Sequence, residues 1–261
     1  MNEKLPPDFF WACDVGNTRV GLALVRSGRL ASVARVPVSG LDGLLDCFRL
    51  SGERPAAVPV IVSSVNPRAA EKLQTLVAAF TTGPFLLAGR DFPIPIETAV
   101  RQPDRVGVDR LLGALAAHSQ GRGAVIVVGV GTAITVDAIE ASGRFLGGAI
   151  LASPALAAWA LHERTAALPE VELGGMAACG HADVSSIGDD TASALRAGLV
   201  LGAAGAIERL VADQRRALGV PARVVATGGG LPVLRPALSC LDEVRPDLVL
   251  EGLIAAYGRH K

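Results

Sequence analysis

One carboxylate stands where a predicted hydrophobic strand, residues 9–15, meets a turn of small polar residues. The sequence there is Cys-Asp-Val-Gly-Asn-Thr at 13–18, and a second apolar strand is predicted at 20–25. This order gathers the Asp14 carboxylate and several backbone N–H groups around one small volume. Such a volume suits a metal-bound polyphosphate, because the carboxylate can hold Mg²⁺ while the amides face phosphate oxygens. Gly-Asn and Asn-Thr are also common turn residues, so an ordinary β-hairpin explains the same segment.

A similar strand–turn–strand opening occurs in the second half of the chain. Predicted strands at 124–130 and 134–139 flank the turn at Gly131 and Thr132, and a further hairpin closes at Gly143. The duplication favours two similar domains, residues 1–121 and 122–261, facing a shared cleft. Each hairpin would offer amides to one end of a nucleotide's phosphates. No Gly-x-x-x-x-Gly-Lys-Ser/Thr segment is present, which excludes a P-loop.

The rest of the sequence alternates predicted strands and helices, as in an α/β fold. The predicted strands are 30–36, 58–63, 145–150 and 223–226, and the predicted helices are 41–50, 67–80, 107–118, 154–166, 189–216 and 249–258. Residues 83–105, rich in Gly and Pro, are predicted to form a loop-rich connection. Ser63 and Ser64 follow a strand at the sheet edge where α/β proteins bind ligands, although hydroxyls there also cap helices.

Composition narrows the possible functions. The 261 residues are 50% hydrophobic but only 4% aromatic, so the core must be built from Ala, Val, Leu and Ile in packed layers. The net charge of +0 argues against a broad nucleic-acid footprint. Four cysteines without CxxC spacing indicate reduced thiols, and scattered histidines indicate no His/Cys metal cage. The longest apolar run, 124–136, is too short to span a bilayer. We therefore expect a soluble, cytoplasmic protein without a membrane partner.

Three motifs in order identify a family resemblance. With Asp-Val-Gly-Asn-Thr at 14–18, Gly-Val-Asp-Arg at 107–110 and Gly-Thr-Ala-Ile-Thr-Val-Asp at 131–137, the chain resembles the type III pantothenate kinases. These belong to the acetate and sugar kinase, Hsc70 and actin superfamily. The resemblance implies an α/β fold of two actin-like (ribonuclease H-like) domains facing a central cleft. It also implies transfer of the γ-phosphoryl group of ATP to pantothenate, the first step of coenzyme A biosynthesis.

The resemblance assigns roles to particular residues. Asp109 resembles the general base, Asp14 the residue that holds Mg²⁺ with ATP, and Arg110 a residue that pairs with substrate or orients Asp109. The ATP-binding positions are Asp14, Val15, Gly16, Asn17, Thr18, Gly131, Thr132, Gly228 and Gly229. The pantothenate-binding positions are Val100, Gly107, Val108, Asp109, Arg110 and Thr191. Purely structural explanations exist for the same residues. Asp109 and Arg110 would then be a surface pair that opens a helix, Thr132 an ordinary strand residue, and 227–230 a plain strand-to-helix turn.

The chain also departs from the family pattern. Gly129 stands where the family has an Asp associated with a monovalent cation, so a K⁺ or NH₄⁺ requirement is in doubt. Ala152 and Ser153 replace Pro-Gly, and Val100 replaces a Tyr of the pantothenate pocket. We expect a working kinase with altered cation use. The alternatives are a catalytically impaired relative that binds nucleotide or pantothenate as a regulator, and a kinase for another small hydroxyl substrate.

The family resemblance also implies a homodimer, with pantothenate bound near the subunit interface. The Ala-rich segments 154–161 and 192–207 could supply that interface. At their Ala/Leu spacing, burial in the core of the chain itself is the favoured interpretation.

Overall fold

The computed structural model describes residues 9–44, 57–121, 123–173 and 184–260. They contain two five-stranded sheets. The first has the order β3-β2-β1-β4-β5, with strands β1 (Phe9–Val15), β2 (Arg19–Arg26), β3 (Arg29–Pro37), β4 (Val60–Ser64) and β5 (Phe85–Leu87). The second has the order β10-β9-β6-β7-β8, with strands β6 (Ala124–Val130), β7 (Ala133–Ile139), β8 (Phe145–Ala152), β9 (Ala222–Thr227) and β10 (Glu243–Val244). Both sheets mix antiparallel hairpins with parallel pairs.

Six α-helices accompany the sheets in the described residues. They are α1 (Pro67–Val77), α2 (Val108–Ser119), α3 (Pro154–Arg164), α4 (Thr191–Leu218), α5 (Leu231–Leu234) and α6 (Leu248–Arg259). The chain divides into two compact units, one of residues 1–97, 101–120 and 247–261, the other of residues 98–100 and 121–246. The predicted domains 1–121 and 122–261 differ from these units in placing 98–100 and 121 with the first half and 247–261 with the second.

Both faces of the central strands in the first unit are covered. β1 and β4 are almost wholly buried, which explains why each is a continuous apolar run rather than an alternating one. Helix α1 covers one face and buries Leu73 there. Helices α2 and α6 cover the other, where Leu112 and Leu253 are fully buried. These two helices approach closely, since a β-carbon at Gly252 would lie 2.0 Å from the carbonyl oxygen of Leu112.

The second unit is built around its own core. Helix α4 buries residues at helical spacing, Val200, Ala204, Ile207 and Val211, in the same cluster as the β6 and β9 side chains. Its first turn is fixed by a capping box, in which Asp190 accepts from the backbone N–H of Ser193. None of the helices described is long and apolar enough to cross a membrane.

Most predicted elements are confirmed within two or three residues of their bounds, and three points differ. Phe85–Leu87 forms an edge strand inside the segment expected to be loop-rich. The predicted helix 41–50 lies largely outside the described residues, which stop at 44 in this region. The core interpretation of 154–161 is wrong for most of its length, because α3 buries only Pro154 and Ala158, and Trp159 is 57% exposed.

Candidate active site

The two acidic residues singled out from the sequence come together in the first unit. Asp14 lies one residue before the end of β1, and Asp109 lies in the first turn of α2. Burial raises the pKa of Asp14 to about 7, and the nearby negative charge of Asp109 is the second cause. Two carboxylates that repel each other in a partly desolvated site are a usual sign of a functional centre. The pair would have no such mutual effect if the segments faced separate regions.

Two polar groups counteract this rise. The Ser63 hydroxyl and the Arg35 guanidinium both lower the pKa of Asp14. Strand pairing aligns Asp14 with Ser63 on one side and with Gly21 on the other, and Gly21 in turn with Arg35. These four residues form a row across the sheet, so their side-chain positions lie on the same face. Since Gly21 has no side chain, nothing from β2 stands between the Arg35 and Asp14 positions.

Sequence reasoning missed Arg35 and its partner. Arg35 forms an ion pair with Asp247, the residue immediately before α6. The signal was indirect, because finding it requires the register of β2 against β3 as well as the alternation of side chains along each strand. The sequence pattern could not predict Asp247 as the partner of Arg35. These two residues are far apart in the sequence and meet only because the last helix packs on the first sheet.

Gly107 has a structural role beside the one expected of it. The resemblance implied that it lets substrate approach the backbone. In the structure a β-carbon at position 107 would lie 2.5 Å from Oδ1 of Asp109, well inside van der Waals contact. That same oxygen accepts a hydrogen bond from the backbone N–H of Arg110 at 2.9 Å. The glycine therefore makes room for the Asp109 carboxylate, while Val108 starts the helix.

The first turn is open to solvent. The backbone N–H of Gly16 donates to the carbonyl oxygen of Arg19 at 3.0 Å, which closes the turn between β1 and β2. Val15 is buried at the end of its strand, whereas Asn17 and Thr18 are exposed. The exposed turn therefore lies directly after Asp14 in the chain, at the end of β1.

In the second unit, the turn at 131–132 lies beside a glycine-rich segment of the same unit. Gly131 is exposed and donates its N–H to Ala133 at 2.9 Å, and Thr132 is partly buried. Because β6 and β9 are parallel, the turn at 131–132 and the segment 228–230 leave the same sheet edge. Gly228 has φ +108°, and a β-carbon there would lie 2.2 Å from the carbonyl oxygen of Val130. Gly229 follows directly, so these predicted nucleotide-binding residues are grouped.

Gly129, the position of the missing family Asp, lies within β6 opposite Thr135 of β7 and Thr227 of β9. A β-carbon at 129 would lie 2.8 Å from Oγ1 of Thr135. A hydroxyl thus occupies space that a larger residue would enter. Asp137, the trailing carboxylate of the motif, is 1% exposed and points beside Gly148, where a β-carbon would lie 2.5 Å from its Oδ1.

Three predicted residues remain, two in the second unit and one in the first. Val100 belongs to the second unit, where Gly147 packs against it: a β-carbon at 147 would lie 3.2 Å from Val100 Cγ1. Thr191 is the exposed first residue of α4, directly after its cap. Arg110 is partly buried in the first turn of α2. The structure thus groups Asp14, the first turn and residues 107–110 in one unit, and the other predicted residues in the second.

The acidic pair also fits a divalent metal bound with a nucleotide. Within the described ranges, no group of three or more His, Cys, Asp or Glu side chains is arranged to hold a metal ion. Mg²⁺ does not need one, because it is commonly held by one or two carboxylates together with phosphate oxygens and water. Asp14 supplies carboxylate oxygens of that kind, and Ser63 is its strand-paired neighbour.

Solved structures show the class of fold. A Campylobacter jejuni protein assigned to the Baf family of transcriptional activators superposes with a TM-score of 0.56 at 20% identity, covering 96% of this chain and 98% of that one. The activator of 2-hydroxyisocaproyl-CoA dehydratase from Clostridium difficile, with bound ADPNP, superposes with a TM-score of 0.52 at 12% identity, covering 97% and 94%. The fold of this chain is the actin-like α/β fold that it shares with these structures.

Sequence comparisons then give the family. A family model described as type III pantothenate kinase matches residues 10–213. A type III pantothenate kinase from Nitratidesulfovibrio vulgaris (strain DP4) is 35% identical, over 94% of this chain and 95% of that protein. One from Dehalococcoides mccartyi (strain CBDB1) is 32% identical over 100% of both. The chain belongs to the type III pantothenate kinase family.

Proposed function

We propose that this chain transfers the γ-phosphoryl group of ATP to the primary hydroxyl of pantothenate, the first step towards coenzyme A. The observation that supports this most is the closeness of two carboxylates from distant segments, Asp14 and Asp109. Phosphoryl transfer needs one acidic group at the metal and phosphates and another at the attacking hydroxyl. Membership of the family supplies the identity of the acceptor.

Asp109 is the proposed general base. Its position in the first turn of α2 favours negative charge, because the partial positive charge of a helix N-terminus lies there. The Arg110 backbone N–H holds one carboxylate oxygen at 2.9 Å. The carboxylate can then accept the proton of the attacking hydroxyl as the new O–P bond forms.

Asp14 is the proposed Mg²⁺ residue, and the bound ion would neutralise charge on the phosphates. The remaining roles follow the grouping of the residues. Phosphate contacts are assigned to Gly16, Asn17, Thr18, Gly131 and Thr132, with Val15 supporting the first turn. Gly228 and Gly229 border the adenine, and Val100, Gly107, Val108, Arg110 and Thr191 contact pantothenate.

The test is a coupled ADP-release assay with pantothenate on the wild type and on Asp109→Asn. We expect the variant to fold normally and to lose about 10²–10⁴-fold in kcat, the usual contribution of a positioned base. Asp104→Asn is the matched control, since Asp104 is an exposed carboxylate just before the same helix. Equal turnover of Asp109→Asn and wild type would remove Asp109 from its proposed role.

The same assay distinguishes the alternatives. A wild type that binds ATP but releases no ADP with pantothenate would support a regulatory, non-catalytic relative. Turnover with other small alcohols but not with pantothenate would support a different acceptor, a possibility that Val100 in place of a Tyr keeps open.

We further propose that turnover does not depend strongly on K⁺ or NH₄⁺. The support is Gly129, which provides no carboxylate, and the Thr135 hydroxyl that occupies part of the space. Rates measured in Na⁺, K⁺ and NH₄⁺ at equal ionic strength should agree within about 3-fold, because losing a charge-assisted contact removes most of the binding. A rate in Na⁺ that is negligible beside the rate in K⁺ would contradict this.

A homodimer is also proposed. On the second unit, Ile150 is 63% exposed on β8, and α3 next to it exposes Trp159 at 57% and Leu156 at 37%. Large apolar side chains grouped on a surface mark interaction sites, and a second copy of this chain is the partner we propose. Trp159→Glu should shift the protein from dimer to monomer in light scattering, whereas Val220→Glu, an exposed apolar residue elsewhere, should not.

A cytoplasmic location remains a prediction from the cysteine pattern.

A further inference from the structure

One side chain beside the acidic pair is buried without a use in the fold. Ser63 has 0% exposure, and its hydroxyl oxygen has no hydrogen-bond partner among the described residues. Burying a hydroxyl in this way opposes folding. Such groups are uncommon in native proteins, and each calls for a specific explanation.

The sheet register shows which group is within reach. β1 and β4 pair in parallel with Asp14 opposite Ser63, and side chains at paired positions stand on the same face of a sheet. Ala12 and Ile61, two residues earlier on each strand, both lie in the core cluster that α2 covers. Asp14 and Ser63 therefore face the helix that carries Asp109. The Ser63 hydroxyl is close enough to lower the pKa of Asp14.

We propose that Ser63 is a positioning residue whose Oγ–H donates a hydrogen bond to the Asp14 carboxylate when that carboxylate engages a metal-bound nucleotide. The hydrogen bond would fix one carboxylate oxygen and leave the other directed at the ligand. The hydroxyl and the carboxylate stand at paired positions on one face of the sheet, beside each other. The inference rests on the proposed function for the nucleotide, but not on the identity of the acceptor.

The next residue provides a matched control. Ser64 lies on the same strand, but its hydroxyl donates to the Asn66 carbonyl at 3.0 Å and accepts from the Asn66 N–H at 3.1 Å. Asn66 in turn caps α1 by accepting from the backbone N–H of Ala69. The two serines thus separate a proposed ligand-dependent role from an ordinary structural one.

The test compares Ser63→Ala, Ser63→Thr and Ser64→Ala by calorimetric titration with Mg²⁺ and ADP and by thermal unfolding without nucleotide. Ser63→Ala should weaken Mg·ADP binding and raise the half-saturating Mg²⁺ concentration about 10-fold, the factor expected for one hydrogen bond to a charged group. Its Tm without nucleotide should be unchanged or higher, because a buried unsatisfied hydroxyl is removed. Ser63→Thr keeps the hydroxyl and should retain wild-type binding.

Ser64→Ala should show the reverse pattern, a lower Tm with unchanged Mg·ADP affinity. The proposal is wrong if Ser63→Ala binds Mg·ADP like the wild type. It is equally wrong if that variant loses stability and affinity together and Ser63→Thr fails to restore them, because that is the behaviour of a packing residue. A wild type without pantothenate turnover, in which Ser63→Ala still weakens Mg·ADP binding, would overturn the acceptor and leave this inference standing.

Discussion

At the scale of single residues, the character of the site comes from how few groups surround Asp14. Burial and the Asp109 charge favour its protonated form, while Ser63 and Arg35 favour the ionised one. The balance leaves the pKa of this carboxyl group at about 7. A cation arriving with a nucleotide would favour the ionised form, because opposite charges attract most strongly where water is scarce. Binding of a cation at Asp14 is therefore coupled to loss of its proton.

Gly107→Ala should impair catalysis more than stability. The new methyl group would lie 2.5 Å from Oδ1 of Asp109, so the carboxylate must turn away from its place. A misplaced base lowers kcat by about 10²-fold, whereas the partly buried start of the helix can adjust at a smaller cost. Steady-state kinetics and thermal unfolding measure the two effects. Gly258→Ala, a helical position with open space around it, is the control and should leave kcat unchanged.

Residue types were more predictable than residue surroundings. The order Asp14, Asp109, Thr132 follows from short motifs, because turns and caps depend on local sequence. Ser63 was noticed only as a hydroxyl at a strand end, and Arg35 not at all. Their importance depends on strand register, which links residues across three or four strands. The closeness of Gly107 to the carboxylate of Asp109 could not be predicted from the sequence either, since it depends on a side-chain rotamer.

At the scale of elements, both units contain the same arrangement, a turn at the carboxyl end of a strand that pairs with a parallel neighbour. In the second unit, residues 228–230 also pack closely on the end of β6. The Gly230 N–H donates to the carbonyl oxygen of Val130 at 3.0 Å, which ties the two strand ends together. The position of the turn at 131–132 therefore depends on the position of the segment 228–230.

Gly228→Ala should disturb nucleotide binding as well as folding. Its positive φ and the 2.2 Å approach to the Val130 carbonyl oxygen leave no room for a methyl group. We expect a loss of about 1–3 kcal/mol in the free energy of unfolding and a higher KM for ATP. Gly219→Ala, also at positive φ but with open space, should lose stability without the change in KM. Equal KM values in both variants would contradict the nucleotide role of this segment.

Element type was predictable wherever apolar runs were long. The strand at 124–130 agrees at both ends, and the helix at 108–119 within one residue. Phe85–Leu87 was missed because a strand of three residues, in a segment bounded by Pro84 and Gly89, carries too little periodicity to be indicated by its sequence. It pairs with β4 only because the sheet edge is available.

At the scale of the whole molecule, stability should depend on pH through Asp14. Its pKa is raised from 3.8 to about 7, so the folded state binds more protons than the unfolded state between these values. The free energy of unfolding must then fall as pH rises through this range. Asp14→Asn removes the effect and should unfold at a higher temperature than wild type at about pH 8, with a smaller difference at about pH 5. Thermal unfolding of nucleotide-free protein measures both.

Asp91 should give stability the opposite dependence on pH. Hydrogen bonds from Arg90 and from the Leu87 backbone N–H lower the pKa of its carboxyl group. Its stabilising contribution is present above the ordinary carboxyl pKa and is lost as pH falls below it. Asp91→Asn should therefore be less stable than wild type at neutral pH. A higher Tm for Asp91→Asn, or a lower one for Asp14→Asn, would contradict these assignments.

Helix α6 comes from the far end of the sequence, yet it packs on α2 at Gly252 and on β1 through the edge-to-face rings of Phe10 and Tyr257. During synthesis, residues 121–246 leave the ribosome before this helix does. The nascent first unit must therefore wait with Leu112 and its neighbours uncovered, while the sheet of the second unit can already assemble. The helix that carries Asp109 gains this packing partner only after residues 121–246 have been translated, so a chain cut short before 248 should carry the acidic residues without the support that holds them in place.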